Sequence, residues 1–337
     1  MYETQPDYAS ELIKTAKRIV FMTALPAILR YADDSEPGIA RIKRGKGFSY
    51  KAPDGKTLTC KMALERINLL GLPPAYSDVW ICEDPYGHLQ ATGRDVKGRK
   101  QYRYHEKWRE FQERKKFENL PEFGEHLSYL RRKISRDLRR QDNSKDYVCA
   151  AITRLIDKGA LRVGHEVNDA IGASTLKTRH ITLSGSSLQL DYKAKGGKRV
   201  RKQIKDKTLA RILHSIDDLP GRRVFQYIGQ SGQLHPIDSS NVNAYIGEDF
   251  SAKTFRTWHG TLAAFETAQA TEGEPTLKTM SEAAAQRLHN TPAICRSSYI
   301  HPRVIGLAEN NIAATVKSCD TPGLRKSERQ LLEFIRA

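Results

Sequence analysis

Hydrophobic and polar residues alternate with a strand-like period in the first third of the chain. Three short runs rich in β-branched and aromatic residues are separated by Pro85-Tyr-Gly87 and by Asp95-Val-Lys-Gly98. Glycine, proline and aspartate between such runs supply turns. The pattern therefore predicts an antiparallel meander with strands over 79–82, 88–92 and 99–104.

The residues before this meander mix helical and strand patterns. A helical pattern covers about residues 10 to 30, and Gly45 to Gly55 predicts a short hairpin whose turn is Pro53-Asp-Gly55. Thr57 can then cap a helix from Leu58 to Leu70, because Gly71 and two prolines follow it.

From His105 onward the hydrophobic period becomes helical. Between 126 and 140 the apolar positions fall on one face of a helix, and they are Leu127, Leu130, Ile134 and Leu138. A second apolar helix covers 146–158 and stops at Gly159. Strand-like runs at 178–183, 188–193 and 199–204 interrupt the helices, which resume beyond them.

These elements predict a multi-domain protein. We expect an α+β N-terminal domain, residues 1–110, built of an antiparallel sheet plus helices. We expect a mainly α C-terminal domain, residues 111–337, that carries a small β-hairpin sheet. A chain of 337 residues is long enough for two domains. The boundary, which is also the expected hinge, lies between Tyr104 and Asn119.

The net charge of the chain indicates what kind of molecule the protein binds. The chain has 56 Lys and Arg against 39 Asp and Glu, a net charge of +17, and such a surplus favours a polyanion, with nucleic acid first. No run approaches the roughly 18 to 20 apolar residues that cross a bilayer, and the five scattered cysteines contain no C-x-x-C pair. We therefore expect a cytoplasmic protein without a metal or cofactor, although a merely basic protein stays an open alternative.

Tyr299 and two arginines are candidates for chemistry on a phosphate. A phenol is a poor nucleophile near neutral pH, and attack on a phosphodiester builds negative charge that fixed cations must stabilise. Arginine suits this role because its planar guanidinium matches phosphate and stays charged. Arg162 follows the predicted end of a helix, and Arg256 stands between aromatic residues. The neighbours of both are mainly apolar, so neither arginine is expected to be a solvent-exposed surface charge. For each alone, a structural ion pair is an equal alternative.

At this point the chain resembles the poxvirus-like and bacterial type IB DNA topoisomerases. The resemblance covers nearly the whole chain, and five segments occur in the family's order. They are Pro74-Ala-Tyr-Ser-Asp-Val-Trp-Ile-Cys82, Gln90-Ala-Thr-Gly-Arg-Asp95, Gly98-Arg-Lys-Gln-Tyr-Arg-Tyr-His105, Phe255-Arg-Thr-Trp258 and Asn290-Thr-Pro292 to Tyr299. The implied fold of the C-terminal domain is the catalytic core that this family shares with tyrosine recombinases.

The resemblance implies a role for five residues. Tyr299 matches the nucleophile that forms a 3′-phosphotyrosyl link, Arg162 and Arg256 match the arginines that clamp the scissile phosphate, and Lys195 matches the general acid. Lys193 and Lys198 remain alternatives to Lys195, since the hairpin register is only inferred. Asn290 stands where the family commonly has histidine. An amide donates a hydrogen bond but transfers no proton, so a neutral phosphate ligand is expected there.

The predicted substrate is duplex DNA, relaxed without ATP or metal by a bacterial, nucleoid-associated and monomeric enzyme. The resemblance implies that the strand 99–104 contacts DNA through base edges and phosphates, although an edge strand whose tyrosines pack on the core is an alternative. The arginines between 131 and 140 are expected to face phosphates, although a solvated face is an alternative. Together these residues form a second set of expected DNA contacts, besides the catalytic residues. Its members are Arg99, Lys100, Gln101, Tyr102, Tyr104, Arg131, Arg132, Arg136 and Arg140.

Two alternatives compete with this interpretation. A tyrosine recombinase shares the chemistry, but recombinases typically carry His-x-x-Arg where this chain has Lys253-x-x-Arg256. An architectural DNA-binding protein would use only its basic surface, and it would function without the Tyr299 hydroxyl.

Overall fold

The chain divides into two compact units, Met1–Lys115 and Lys116–Ala337. A computed structural model describes residues 25–165, 171–217, 223–229, 231–309 and 321–336. The division falls inside helix α2, Glu106–Glu118, whereas the sequence pattern placed the domain boundary after residue 110.

The first unit contains a five-stranded antiparallel sheet with the strand order β2-β1-β3-β4-β5. One helix, α1, joins β2 to β3. The predicted meander is confirmed as β3, β4 and β5. The bounds are β1 Ile39–Arg44, β2 Gly47–Lys51, α1 Lys61–Leu69, β3 Ser77–Ile81, β4 Leu89–Arg94 and β5 Lys100–Tyr104.

The predicted turn at Pro53-Asp-Gly55 is confirmed, since Lys51 pairs with Thr57 across it. A further hairpin, that of β1 and β2, turns at Gly45, because Arg44 pairs with Gly47, and Gly45 has a φ of 52° that suits a residue without Cβ. Two expectations for this unit need correction. Helix α1 begins after Cys60, with no side-chain cap, so Thr57 does not cap it. The predicted helix over 10–30 lies mostly outside the described residues, and 25–30 are not helical.

The second unit is mainly helical. Its helices surround a large apolar core. The amphipathic helix expected near residue 126 is present as α3, but it begins earlier, with Pro121 in its first turn, a position that proline suits. The bounds are α3 Leu120–Asp137, α4 Lys145–Gly159, α5 Lys207–Asp217, α6 Ser239–Ile246, α7 Ala252–Ala270, α8 Leu277–Leu288, α9 Pro292–Ser298, α10 Pro302–Glu309 and α11 Lys326–Arg336.

Two small antiparallel sheets accompany these helices. The larger has the order β6-β7-β8 and confirms the predicted strand-rich segment, and the smaller pairs β9 with β10. The bounds are β6 Ile181–Ser184, β7 Ser187–Lys193, β8 Arg199–Lys205, β9 Gln226–Ile228 and β10 Leu234–Pro236. The predicted class, an α+β unit followed by a mainly α unit with a small hairpin sheet, is confirmed.

Close packing fixes helix α7 in the middle of the second unit. Trp258 and Phe255 of α7 are fully buried and meet Phe123 of α3 edge to face. Gly124 allows this approach, since a Cβ there would lie 2.7 Å from the Trp258 ring. Helix α7 is therefore a rigid platform for the side chains it carries.

Candidate active site

Arg256 lies on α7 and is almost completely buried, with 3% of its surface exposed. Its two terminal nitrogens donate hydrogen bonds to backbone carbonyls, Nη1 to Ala160 at 2.7 Å and Nη2 to Leu288 at 3.0 Å. No carboxylate of the described residues pairs with it, and its buried Nε–H has no acceptor among them. The guanidinium is thus held in place while its charge stays uncompensated.

The two carbonyls that hold Arg256 come from the ends of two helices. Helix α4 ends at Gly159, and Ala160 turns into the left-handed region with a φ of 51°. Helix α8 ends at Leu288, and His289 does the same with a φ of 48°. The last carbonyls of a helix have no partner within it and carry partial negative charge. They are therefore natural acceptors for a buried cation.

Arg162 lines the same small cavity as Arg256. The cavity is completed by Tyr192, His289 and apolar side chains. Burial and then the charge of Arg162 lower the pKa of Arg256, whereas Tyr299 opposes that shift. Burial and the nearby cations, of which Lys202 has the largest effect, lower the pKa of His289 to about 4. His289 is therefore neutral near pH 7 and adds no charge to the two guanidiniums.

Tyr299 directly follows helix α9 and packs on α7. The guanidinium carbon of Arg256 lies 5.2 Å from the centroid of its ring. The Thr261 hydroxyl donates to the Tyr299 carbonyl at 3.2 Å. At Gly260 a Cβ would lie 2.7 Å from that same carbonyl oxygen, so only glycine fits. Two successive turns of α7 therefore place an arginine, a close-approach glycine and a hydroxyl against the predicted nucleophile.

Asn290 lies one residue beyond the cavity residue His289. Its Oδ1 accepts hydrogen bonds from the Thr291 amide at 3.1 Å and from Lys198 Nζ at 3.4 Å. Because the oxygen is used in this way, the Nδ2 amide is the group left to donate. It has no hydrogen-bond acceptor among the described residues, which suits a neutral ligand of a phosphate oxygen.

Lys195 is not among the residues that line the cavity. It is exposed in a single helical turn, Lys195–Gly197, at the tip of the hairpin between β7 and β8. Gly196 and Gly197 both have positive φ, 76° and 73°. The structure thus brings Arg162, Arg256 and Tyr299 together, and it places Lys198, not Lys195, against Asn290.

Comparison with known proteins gives a consistent result. Residues 105–301 match the model of the eukaryotic DNA topoisomerase I catalytic core, and residues 47–95 match the model of the bacterial DNA topoisomerase IB N-terminal domain. DNA topoisomerase 1B of Acanthamoeba polyphaga mimivirus is 30% identical over 296 residues, which are 81% of this chain and 88% of that protein. The chain belongs to the type IB DNA topoisomerase family.

Two plant DNA topoisomerases are similar to a shorter part of this chain. DNA topoisomerase 1 of Daucus carota is 26% identical over 158 residues, and DNA topoisomerase 1 beta of Arabidopsis thaliana is 25% identical over 166. Each match covers 44% of this chain, but only 19% and 16% of the plant proteins. The expected enzyme class, a type IB DNA topoisomerase of bacterial type, is confirmed, and its substrate is DNA.

The N-terminal unit of the topoisomerase exposes three of the residues predicted to bind DNA, Lys100, Tyr102 and Tyr104. Tyr102 and Tyr104 project from β5 with 52% and 36% of their surface exposed, and their rings stack 6.0 Å apart. Gln101 instead donates to Asp95 at 3.1 Å. The neighbouring cations are paired as well, Arg99 with Asp95 and Lys100 with Asp34.

Helix α3 of the topoisomerase and the turn after it carry the other predicted DNA contacts. Arg132 and Arg140 are exposed, as is Arg136, which pairs weakly with Asp137 at 3.3 Å. Arg131 differs, because its guanidinium makes hydrogen bonds of 2.8 to 3.1 Å to the carboxylates of Asp157 and Glu328. A guanidinium already neutralised by two carboxylates is poorly placed to bind phosphate, so we leave Arg131 out of the proposed DNA surface.

Two further observations bear on cofactors and membranes. In the described parts of the chain no three His, Cys, Asp or Glu side chains gather as metal ligands would. None of the helices in those parts has the length and apolarity to span a bilayer.

Sequence reasoning missed several residues of this site. No sequence motif identifies Lys202, Gly260 or Thr261 as site residues. Lys202 could have been found from strand alternation, because it falls on the same face of β8 as the buried Val200 and Ile204.

Proposed function

We propose that the protein relaxes supercoiled duplex DNA by cutting one strand transiently and resealing it. The observation that supports this best is the setting of Arg256. Its guanidinium is buried without a carboxylate partner among the described residues, lies over the Tyr299 ring and shares a cavity with Arg162. A buried cation that lacks a counter-charge is expected where a ligand supplies the anion.

The proposed chemistry is a transesterification at phosphorus. The Tyr299 phenol gives its proton to solvent, and its oxygen attacks the scissile phosphorus. The new bond from phosphorus to the tyrosine oxygen forms as the bond to the 5′-oxygen breaks. Arg162 and Arg256 stabilise the charge that develops on the non-bridging oxygens, which is the largest contribution expected in such a site.

Lys195 and Asn290 complete the proposed machinery. Lys195 gives a proton to the departing 5′-oxygen, and its exposed, glycine-flanked turn lets a long side chain approach DNA from outside. Lys198, already beside Asn290, is the alternative donor. The Asn290 side-chain amide donates a hydrogen bond to a phosphate oxygen but does not act as a general acid.

Resealing reverses these steps after the free 5′ end has rotated. The phosphotyrosyl bond keeps the energy of the phosphodiester it replaced, so the cycle consumes no ATP. The two guanidiniums supply the charge that a metal would otherwise provide, and we propose that none is required.

We further propose a monomer that holds duplex DNA with both of its domains, 1–110 and 111–337, and acts at the nucleoid in the cytoplasm. The segment between Tyr104 and Asn119 is the proposed hinge. The residues proposed to contact the duplex are Arg99, Lys100, Gln101, Tyr102, Tyr104, Arg132, Arg136 and Arg140.

A plasmid relaxation assay tests this function. The protein is incubated with supercoiled plasmid in EDTA without ATP, beside the Tyr299→Phe variant. We expect stepwise relaxation by the native protein and none by the variant, since phenylalanine has no nucleophilic oxygen. Equal relaxation by both would reject Tyr299 as the nucleophile. Binding without relaxation by either would favour an architectural protein.

A further inference from the structure

A lysine occupies the inner face of strand β8. Val200 and Ile204 point into the core, with 3% and 6% of their surface exposed, and Arg201 and Gln203 point outward. Successive side chains of a strand alternate between faces, so Lys202 falls between the two buried aliphatic residues. A charged group on that face needs hydrogen-bond partners.

The partners of Lys202 are the same two helix ends that hold Arg256. Its Nζ donates to the Gly159 carbonyl at 2.6 Å and to the Arg287 carbonyl at 2.7 Å. Arg256 binds the next carbonyl at each helix end, which is that of Ala160 in one and that of Leu288 in the other. Lys202 and Arg256 therefore bridge α4 and α8 one residue apart.

This double bridge explains how two helix ends can lie side by side. The C-terminal carbonyls of α4 and α8 carry partial negative charge of the same sign, so cations between them are stabilising. Arg287 adds a third link, because its Nη2 donates to the Lys158 carbonyl at 3.1 Å. No carboxylate takes part in these contacts, so the hydrogen bonds that join the two helix ends come from cations.

We propose that Lys202 is a positioning residue for Arg256. Its ammonium sets the separation of the two helix ends, and thereby the two carbonyls that direct the Arg256 guanidinium toward the scissile phosphate. This inference rests on the proposed function of Arg256. Lys202 acts through Arg256 and does not itself contact DNA.

The protonation of Lys202 provides a specific signature. Burial, followed by the charges of Arg287 and Arg256, lowers its pKa to about 7. His289 is the other titratable group beside it and stays neutral, whereas both arginines stay charged. The ammonium offers three donors and a charge, and the neutral amine offers two donors and no charge. The bridge therefore weakens as pH rises through the pKa of Lys202.

Single-turnover cleavage at saturating duplex DNA tests the proposal. We expect Lys202→Met to lower the cleavage rate constant by about tenfold or more, because small misplacements of a catalytic group are costly, while the Kd for DNA stays unchanged. Lys205→Met, on the exposed end of the same strand, is the matched control and should cleave like the native protein. Lys202→Arg should retain cleavage, because a guanidinium also bridges two carbonyls.

The pH profile separates positioning from simple structural support. Arginine keeps its proton throughout, so the ratio of the Lys202→Arg rate constant to the native one should rise between about pH 6 and about pH 9. The proposal is overturned if Lys202→Met cleaves DNA at the native rate constant, or if Lys202→Met changes only the Kd for DNA. It is also overturned if the ratio of the Lys202→Arg rate constant to the native one does not change with pH. If Lys202→Met does not fold, the Lys202→Arg ratio decides alone. Failure of the proposed function would appear separately, as cleavage by Tyr299→Phe.

Discussion

Two arginines of the second unit, the half-buried Arg131 and the buried Arg256, have opposite surroundings. Arg131 makes hydrogen bonds to two carboxylates, those of Asp157 and Glu328. Arg256 is held by two backbone carbonyls, with no carboxylate partner in the described parts of the chain and one N–H left over. Both are anchored at helix α4, through Asp157 and through Ala160.

The difference shows what each arginine is for. Burial alone would lower both pKa values, but the hydrogen bonds and charges of Glu328 and Asp157 raise that of Arg131. The pKa of Arg256 stays lowered, by burial and then by Arg162. Arg131 carries its counter-charge within the fold and so contributes to stability. Arg256 lacks one, and we infer that a DNA phosphate supplies it.

Replacing Arg131 should affect stability most strongly. Arg131→Met removes one cation from two buried carboxylates, so that among the described residues Glu328 keeps only Arg325 and Asp157 keeps only His259. Breaking a buried ion pair in this way typically costs about 3–5 kcal/mol of the free energy of unfolding. Urea denaturation measures the loss, and single-turnover cleavage by the remaining folded protein should be unchanged. A stable variant with impaired cleavage would reverse the roles given to the two arginines.

Replacing Arg256 should have the opposite result. Arg256→Lys keeps a charge but loses the planar fork, and we expect cleavage to slow by about 10²–10³-fold, as when one charge-stabilising donor is removed. The urea midpoint should move far less than in Arg131→Met. Native-like cleavage by this variant would remove Arg256 from the site.

The carboxylate cluster also predicts an acid dependence. Although burial opposes the shift, hydrogen bonds from Arg131 and Arg325 lower the pKa of Glu328 to about 2, well below its ordinary value of 4.5. A carboxylate with a lowered pKa stabilises the fold above its unfolded pKa and loses that contribution as pH falls. Glu328→Gln should therefore cost about 2 kcal/mol near pH 7. The difference from the native protein should shrink between pH 4.5 and 2; a constant difference would contradict the cluster.

Asn290 should tolerate substitution best. Asn290→His retains a donor beside the cavity, so relaxation should stay within about tenfold of the native rate. Asn290→Leu, of similar size but without a donor, is the control and should be slower. Complete inactivity of the histidine variant would argue against a phosphate-facing placement.

Most of the architecture was predictable because the spacing of apolar residues along the chain indicates which side chains are buried. The meander, helix α4 and the three-stranded sheet follow directly from alternating or helical apolar positions. The N-terminal boundaries were harder. Gly45 and Pro53-Asp-Gly55 both form turns, but the hairpin at Gly45 depends on the pairing of β1 with β2, which is a tertiary property.

The site was predictable only in part. Arg162, Arg256 and Tyr299 were identified from their local context and a family resemblance, and the fold brings them together. The pairing of Arg131 with Glu328 joins residues far apart in sequence, and no local pattern distinguishes such an arginine from an exposed one. The contacts of Lys202 likewise join a strand to two helix ends.

The most direct test of the account is to identify the residue that becomes attached to DNA. The native protein is incubated with duplex DNA in EDTA and denatured rapidly, and the adduct is digested and mapped by mass spectrometry. We predict a 3′-phosphoryl link on the peptide that contains Tyr299, with much less adduct from Arg256→Lys. An adduct on any other residue, or an undiminished yield from Arg256→Lys, would contradict the claim that a carboxylate-free arginine site activates this tyrosine.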